Sequence, residues 1–123
     1  GAGPLAHELP APPAAAVRDA TNRPNAWQGR LRYGWLDTDR LAAAVRADLG
    51  DAGDVAIVPQ LLVSCLDQMD AGVPLVAGGR LMQVPRAACV SAIGERLGLT
   101  AAYAGWGPRR DDVQLLARAG HAA

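Results

Sequence analysis

Apolar residues after Trp35 recur at Leu41, Ala44, Val45 and Leu49, a helical spacing that predicts a helix over 38–49. Asp37 stands where an N-cap carboxylate would accept the first free amides, and Leu36 and Leu41 have the spacing of a hydrophobic staple. Gly50, Asp51 and Gly53 end that helix. The run from Val55 to Val63 is almost wholly apolar and is broken by Pro59, so it reads as one bent strand or two short buried ones. Val73–Ala77 and Leu81–Val84 flank Gly78-Gly79, a pair that tolerates positive φ, which predicts a hairpin. Pro85 suits the first turn of a second helix. Its Cys89, Val90, Ile93 and Leu97 share one face, and Gly98 is placed to close it in the left-handed conformation. Short strands at 100–104 and over Val113–Leu116 complete the pattern.

Before Trp35 no regular element is expected, because Pro10, Pro12 and Pro13 lie close together and Pro24 follows Arg23. The chain therefore divides into a loop-rich N-terminal arm, residues 1–35, and a small domain, residues 36–123. The fold class is mixed α+β, with two main helices, short strands and a hairpin.

Composition narrows the functional classes. Twelve arginines against twelve acidic residues leave a formal net charge of zero, without the positive field that nucleic acids or anionic membranes attract. With 50% hydrophobic residues in 123, the chain can build a core. Cys65 and Cys89 lie in apolar stretches, are too few for a disulfide framework or a four-cysteine zinc site, and read as buried thiols in a reducing compartment. There is no run of about twenty apolar residues and no signal-peptide pattern at the N-terminus, so a soluble, cytoplasmic chain is expected. It begins at Gly1 rather than Met, which suggests a processed or excised piece of a longer protein.

Catalytic chemistry is sparse. His7 and His121 are the two histidines, each near a terminus, and both read as solvated rather than as metal ligands. There is no GxxxxGK[ST] phosphate loop and no lysine at all. Neither cysteine has a neighbouring base in sequence, so neither reads as a nucleophile. Three stretches nevertheless carry more chemistry than folding requires. Trp27-Gln28-Gly29-Arg30-Leu31-Arg32-Tyr33-Gly34-Trp35 sets two arginines at an i, i+2 spacing, which in an extended segment puts both on one side toward an anionic ligand; a solvated strand with aromatic packing fits the same residues equally well. Ser64-Cys65-Leu66-Asp67 ends an apolar run with a carboxylate able to accept from a guanine edge or to cap a turn. Gly105-Trp106-Gly107-Pro108 is a tight loop that suits a planar ligand or an ordinary turn.

Taken in order, these stretches resemble the C-terminal part of adenylosuccinate synthetase, the family that uses GTP to join aspartate to IMP. Gly1-Ala2-Gly3-Pro4-Leu5-Ala6-His7-Glu8-Leu9 looks like its GAGPxxxEL segment, and Gly29 to Thr38 looks like its arginine-rich substrate loop running into GWLDT. Ser64 to Asp70 sits where the family has TKLDVLD, and Leu97 to Arg110 resembles its closing TGVP and STGPDR segments. The resemblance implies that Trp27, Gln28, Gly29 and Arg30 belong to the IMP and aspartate loop. It assigns Arg32, Cys65, Leu66, Asp67, Gly105, Trp106, Gly107 and Pro108 to the GTP site, with Asp67 reading the guanine base and Gly107-Pro108 lining its pocket. GTP with Mg²⁺ is the implied cofactor, the metal being held by an N-terminal phosphate-loop part supplied in cis or in trans. A homodimer is also implied.

The departures from the family are chemical. Cys65 replaces the lysine of TKLD, Trp27-Gln28 replace a Thr-Thr pair, Gly105-Trp106 replace Ser-Thr, and Arg109 stands where the family has Asp. The stretch from Asp70 to Pro85 is also much shorter. The family's phosphate loop, catalytic aspartate and catalytic histidine lie in its N-terminal part, so this chain would contribute recognition without being catalytically sufficient. Two other readings fit the same departures: a non-catalytic nucleotide-binding or interaction module derived from the fold, and a divergent ligase for another amine.

Overall fold

The computed structural model describes residues 3–17, 23–99 and 101–116; Gly1, Ala2, Thr100 and His121 lie outside them. Among the described residues there are two helices and eight short strands, a mixed α+β domain. The arm is less irregular than its prolines predict. Strand β1 (Glu8–Leu9) pairs antiparallel with β2 (Tyr33–Gly34), and the Trp35 amide donates to the His7 carbonyl at 3.1 Å. The proline-rich segment is thus bridged from both ends rather than left loose.

Strand β3 (Leu36–Asp37) leads into helix α1 (Thr38–Asp51), capped as expected: the Asp37 carboxylate accepts from the Asp39 and Arg40 amides at 3.0 and 3.1 Å. The buried face of α1 matches its spacing only in part, at Leu41 and Val45, both half-buried. Thr38 and Ala42 are buried and Leu41 packs on the core, whereas Ala44 and Leu49 are exposed. The last turns of the helix are exposed, so periodicity there has nothing to face.

The apolar run that follows also departs from expectation. Only β4 (Leu61–Val63) is a strand, while Val55, Ile57 and Val58 are exposed, Val58 at 82%. Pro59 has no N–H to donate to a ladder, and the strand begins only where a parallel partner is in reach. The hairpin is formed by β5 (Gly72–Ala77) and β6 (Arg80–Pro85), with Gly78 and Gly79 at φ +58° and +70°, the turn that matches the twist of the flanking strands. Pro85 closes β6 rather than opening the second helix. A 3₁₀ turn, Arg86–Ala88, intervenes before α2 (Cys89–Leu97), which ends on Gly98 at φ +67°. The last strands are β7 (Ala102–Gly105) and β8 (Val113–Leu116).

The two larger sheets share a plan. In β3-β5-β6 and in β4-β7-β8 a parallel pair is extended by an antiparallel hairpin partner. Helix α2 joins them: Cys89 and Ile93 pack with Val73 and Leu75 of β5, and Val90 packs with Leu66 and Ala104. Burial of Val90 or Ile93, each almost completely removed from water, contributes about 1.5–3 kcal/mol. Polar ties add direction. The buried Thr38 hydroxyl donates to the Val76 carbonyl at 3.0 Å, and the Asp39 carboxylate accepts from the Gly78 amide at 2.6 Å and from the Arg96 guanidinium, linking α1, the hairpin turn and α2.

Candidate functional site

Two neighbourhoods gather the residues that the sequence singled out. The first lies where β4 and β7 end side by side. Leu61–Val63 runs parallel to Ala102–Ala104 in register, so the segments just beyond them, Ser64–Asp67 and Gly105–Pro108, emerge from the same edge. Contact is close: a Cβ on Gly105 would come within 3.2 Å of the Ser64 Cα, so a larger residue would push the Ser64 backbone away by a few tenths of an ångström. Ligands of α/β proteins sit beyond the carboxyl ends of parallel strands, because the loops there are free to carry side chains that the strands hold in place.

At this edge Cys65 takes φ +60°, a left-handed conformation uncommon for a residue with a side chain, and starts the 3₁₀ turn Leu66–Gln68. Leu66 plugs into the core while Cys65 and Asp67 are exposed. Cys65 is therefore not the buried thiol expected; beyond the strand, the turn carries it outward. Cys89 is buried, and burial pushes its thiol pKa up. In the facing loop the half-buried Trp106 packs against the Leu66 cluster, and its amide donates to the Asp112 carbonyl at 2.9 Å. The Asp112 carboxylate accepts from the Arg109 amide at 2.8 Å, closing the loop over Gly107 and Pro108.

Arg86, which sequence reasoning passed over, ties the two segments together. Its guanidinium donates to the Met69 carbonyl at 2.6 Å and to the Leu66 carbonyl at 3.5 Å, and it lies over the Trp106 ring, 5.7 Å from the centroid. Nothing in the local sequence marks it, since its partners lie well away from it along the chain, on both sides.

The second neighbourhood is the arm. Trp27, Gln28, Gly29, Arg30 and Arg32 line an open cleft of about 1080 Å³, together with Gly3, Pro4, Leu5, Arg23, Asn25 and Leu31. Its turn is organised by Asn25, whose side-chain oxygen accepts from the Trp27 and Gln28 amides at 3.0 and 2.8 Å, while Asn25 and Gly29 exchange backbone hydrogen bonds. Trp27 at the tip is 95% exposed. Arg30 and Arg32 both line this cleft, but so does Leu31 between them, so the lining does not separate the two faces that the i, i+2 spacing would create. Arg32, however, is engaged: it donates to both Glu8 carboxylate oxygens at 2.7–2.8 Å and to the Gly3 carbonyl at 2.7 Å. That pairing pulls the Glu8 carboxyl pKa down and raises that of the guanidinium. None of Cys65–Asp67 or Gly105–Pro108 lines the arm cleft, so Arg32 is grouped with Arg30 rather than with the residues the resemblance placed beside it.

His7, at φ +51°, sets its ring nitrogen 2.9 Å from Asp37 and joins the arm to the cap of α1; this contact and the two capping amides hold the Asp37 carboxyl below its usual range. Among the described residues no group of three or more His, Cys, Asp and Glu side chains is placed to hold a metal ion. No described helix is long and apolar enough to cross a membrane. Comparison with protein-family models, with curated proteins and with solved structures found no match to this chain.

Proposed function

We propose that this chain is the C-terminal, nucleotide- and substrate-recognition part of a cytoplasmic adenylosuccinate synthetase-like ligase, which uses GTP to join an amine, aspartate in that family, to IMP. One observation carries the reading. Two segments distant in the chain, each chosen from its sequence as a piece of the guanine site, lie against each other at the ends of β4 and β7. Asp67 there is exposed, and its carboxylate oxygens can accept from the N1–H and exocyclic amine of a guanine edge. Trp106, packed on the Leu66 cluster with the Arg86 guanidinium over its ring, holds the facing loop in place. The residues fit the base end of GTP. They do not offer a phosphate cradle or a Mg²⁺ ligand set, so those would come from the N-terminal phosphate-loop part, in cis or in trans, within a homodimer as in the family.

When bound, GTP would supply the phosphoryl group that activates the IMP oxygen. The roles left to this chain are to select the base and to hold the amine. Its selectivity is testable. Adenine presents no matching pair of donors to Asp67, and a hydrogen bond to a charged acceptor contributes about 1.5–3 kcal/mol, so GDP should bind at least about tenfold more tightly than ADP. Asp67→Asn should erase most of that preference, because one acceptor becomes a donor at nearly constant volume. Calorimetric titration of both nucleotides decides it, and equal affinities for the unmodified protein would remove Asp67 from base selection.

The second reading, a binding module without catalysis, is favoured by Arg32. A guanidinium already bidentate to Glu8 is not free for a phosphate.

A further inference from the structure

We propose that the arginine-lined cleft of the arm takes an aromatic carboxylate, with its ring on Trp27 and its carboxylate on Arg23 and Arg30. The ligase reading supplies only the ligand's role, as the amine substrate; its chemistry comes from the cleft itself. Trp27 is the first reason. Its indole is almost wholly exposed, yet it does not sit on a free loop, because Asn25 and Gly29 lock the turn beneath it. An indole offers about 150–250 Å² of contact surface in general, and here an ordered turn holds that surface open to a flat ligand. The wall of the cleft is the second. Pro4, Leu5 and Leu31 give it an apolar side, and Leu5 and Leu31 are each about two-fifths exposed. Charge is the third. Glu8 pairs directly with Arg32 and attracts Arg30 from further off, and among the described residues neither Arg23 nor Arg30 has a carboxylate within ion-pair distance.

A dicarboxylate such as aspartate would satisfy the two guanidinium groups but leave the indole and the apolar wall wet. An aromatic carboxylate meets all three surfaces at once: the ring stacks, the flank packs, and the carboxylate accepts from a planar fork. A nucleic-acid strand would also stack on Trp27, but it needs a net positive field along its backbone that a neutral chain lacks.

The test titrates phenylalanine, phenylalaninamide and aspartate into the 123-residue protein and follows binding by calorimetry. Phenylalanine should bind at least about tenfold more tightly than aspartate or the amide, the latter lacking the carboxylate. Trp27→Ala should weaken phenylalanine about tenfold, Trp27→Phe should keep affinity within about threefold, and Arg23→Gln should weaken it as the amide does. Trp27 makes no side-chain contact that folding needs, so unchanged circular dichroism in its variants is expected. No measurable phenylalanine binding, aspartate binding as tightly, or an unaffected Trp27→Ala variant each overturn the proposal. GDP and ADP titrated into the unmodified protein separate the two readings. If the unmodified protein binds no phenylalanine but keeps its guanine selectivity, the aromatic-carboxylate site alone is condemned; if it binds phenylalanine but shows no guanine selectivity, the guanine site alone is condemned.

Discussion

Replacing Arg86 by methionine keeps most of the stem's packing and deletes the guanidinium that spans the two loops. The substitution removes a short charge-assisted hydrogen bond to Met69, a longer one to Leu66 and the stack on Trp106. A hydrogen bond from a charged donor contributes about 1.5–3 kcal/mol and an exposed cation–π pair about 0.5–1. Arg86 is only partly buried and the three interactions share one group, so the lower end applies, about 2 kcal/mol in all. For a chain of this length that lowers Tm by roughly 6–12 °C. Urea unfolding of Arg86→Met, Trp106→Leu and the double variant isolates the pairwise part, expected at about 0.5–1 kcal/mol of coupling. Because the same guanidinium holds both halves of the candidate guanine site, GDP affinity should fall in Arg86→Met even at temperatures where the protein stays folded. A cost under about 0.5 kcal/mol, or strict additivity with Trp106→Leu, would refute the view that Arg86 joins the loops.

Ile93→Ala should cost about 2–5 kcal/mol by chemical denaturation, since Ile93 is fully buried between β5 and α1 partners; a loss below about 1 would mean the core collapses around it. Asp39 has its pKa lowered, first by the Arg96 guanidinium and then by the Gly78 amide. Its contribution is therefore complete above the unfolded aspartate value of about 3.9 and is lost as pH falls through the lower folded value. Asp39→Asn should flatten the stability profile below about pH 4 in urea midpoints, and an acid limb as steep as that of the unmodified protein would remove Asp39 from that role. With GTP, IMP, aspartate and Mg²⁺ the chain on its own should form no adenylosuccinate, as it has no phosphate loop; a detectable product peak would contradict the division of labour proposed above.

Features that depend on neighbours within a few residues were legible without coordinates. Asp37 caps α1, Gly78-Gly79 turns the hairpin, Gly98 ends α2, and Cys89, Val90 and Ile93 form its buried face, because capping, positive φ and helical periodicity act over a turn or less. The segments of the candidate guanine site could be picked out too, from residue types alone. What they touch could not. Whether Val55–Val58 is buried, which half of α1 packs, and whether Cys65 faces water depend on what surface is available opposite each of them, and an apolar run carries no information about that. The same holds for the charges. Pairing Arg32 with Glu8, Asp39 with Arg96 and Arg86 with Trp106 requires the chain to close over long separations, so the partner of each guanidinium was decided only when β4 met β7 and the arm folded back on the start of α1.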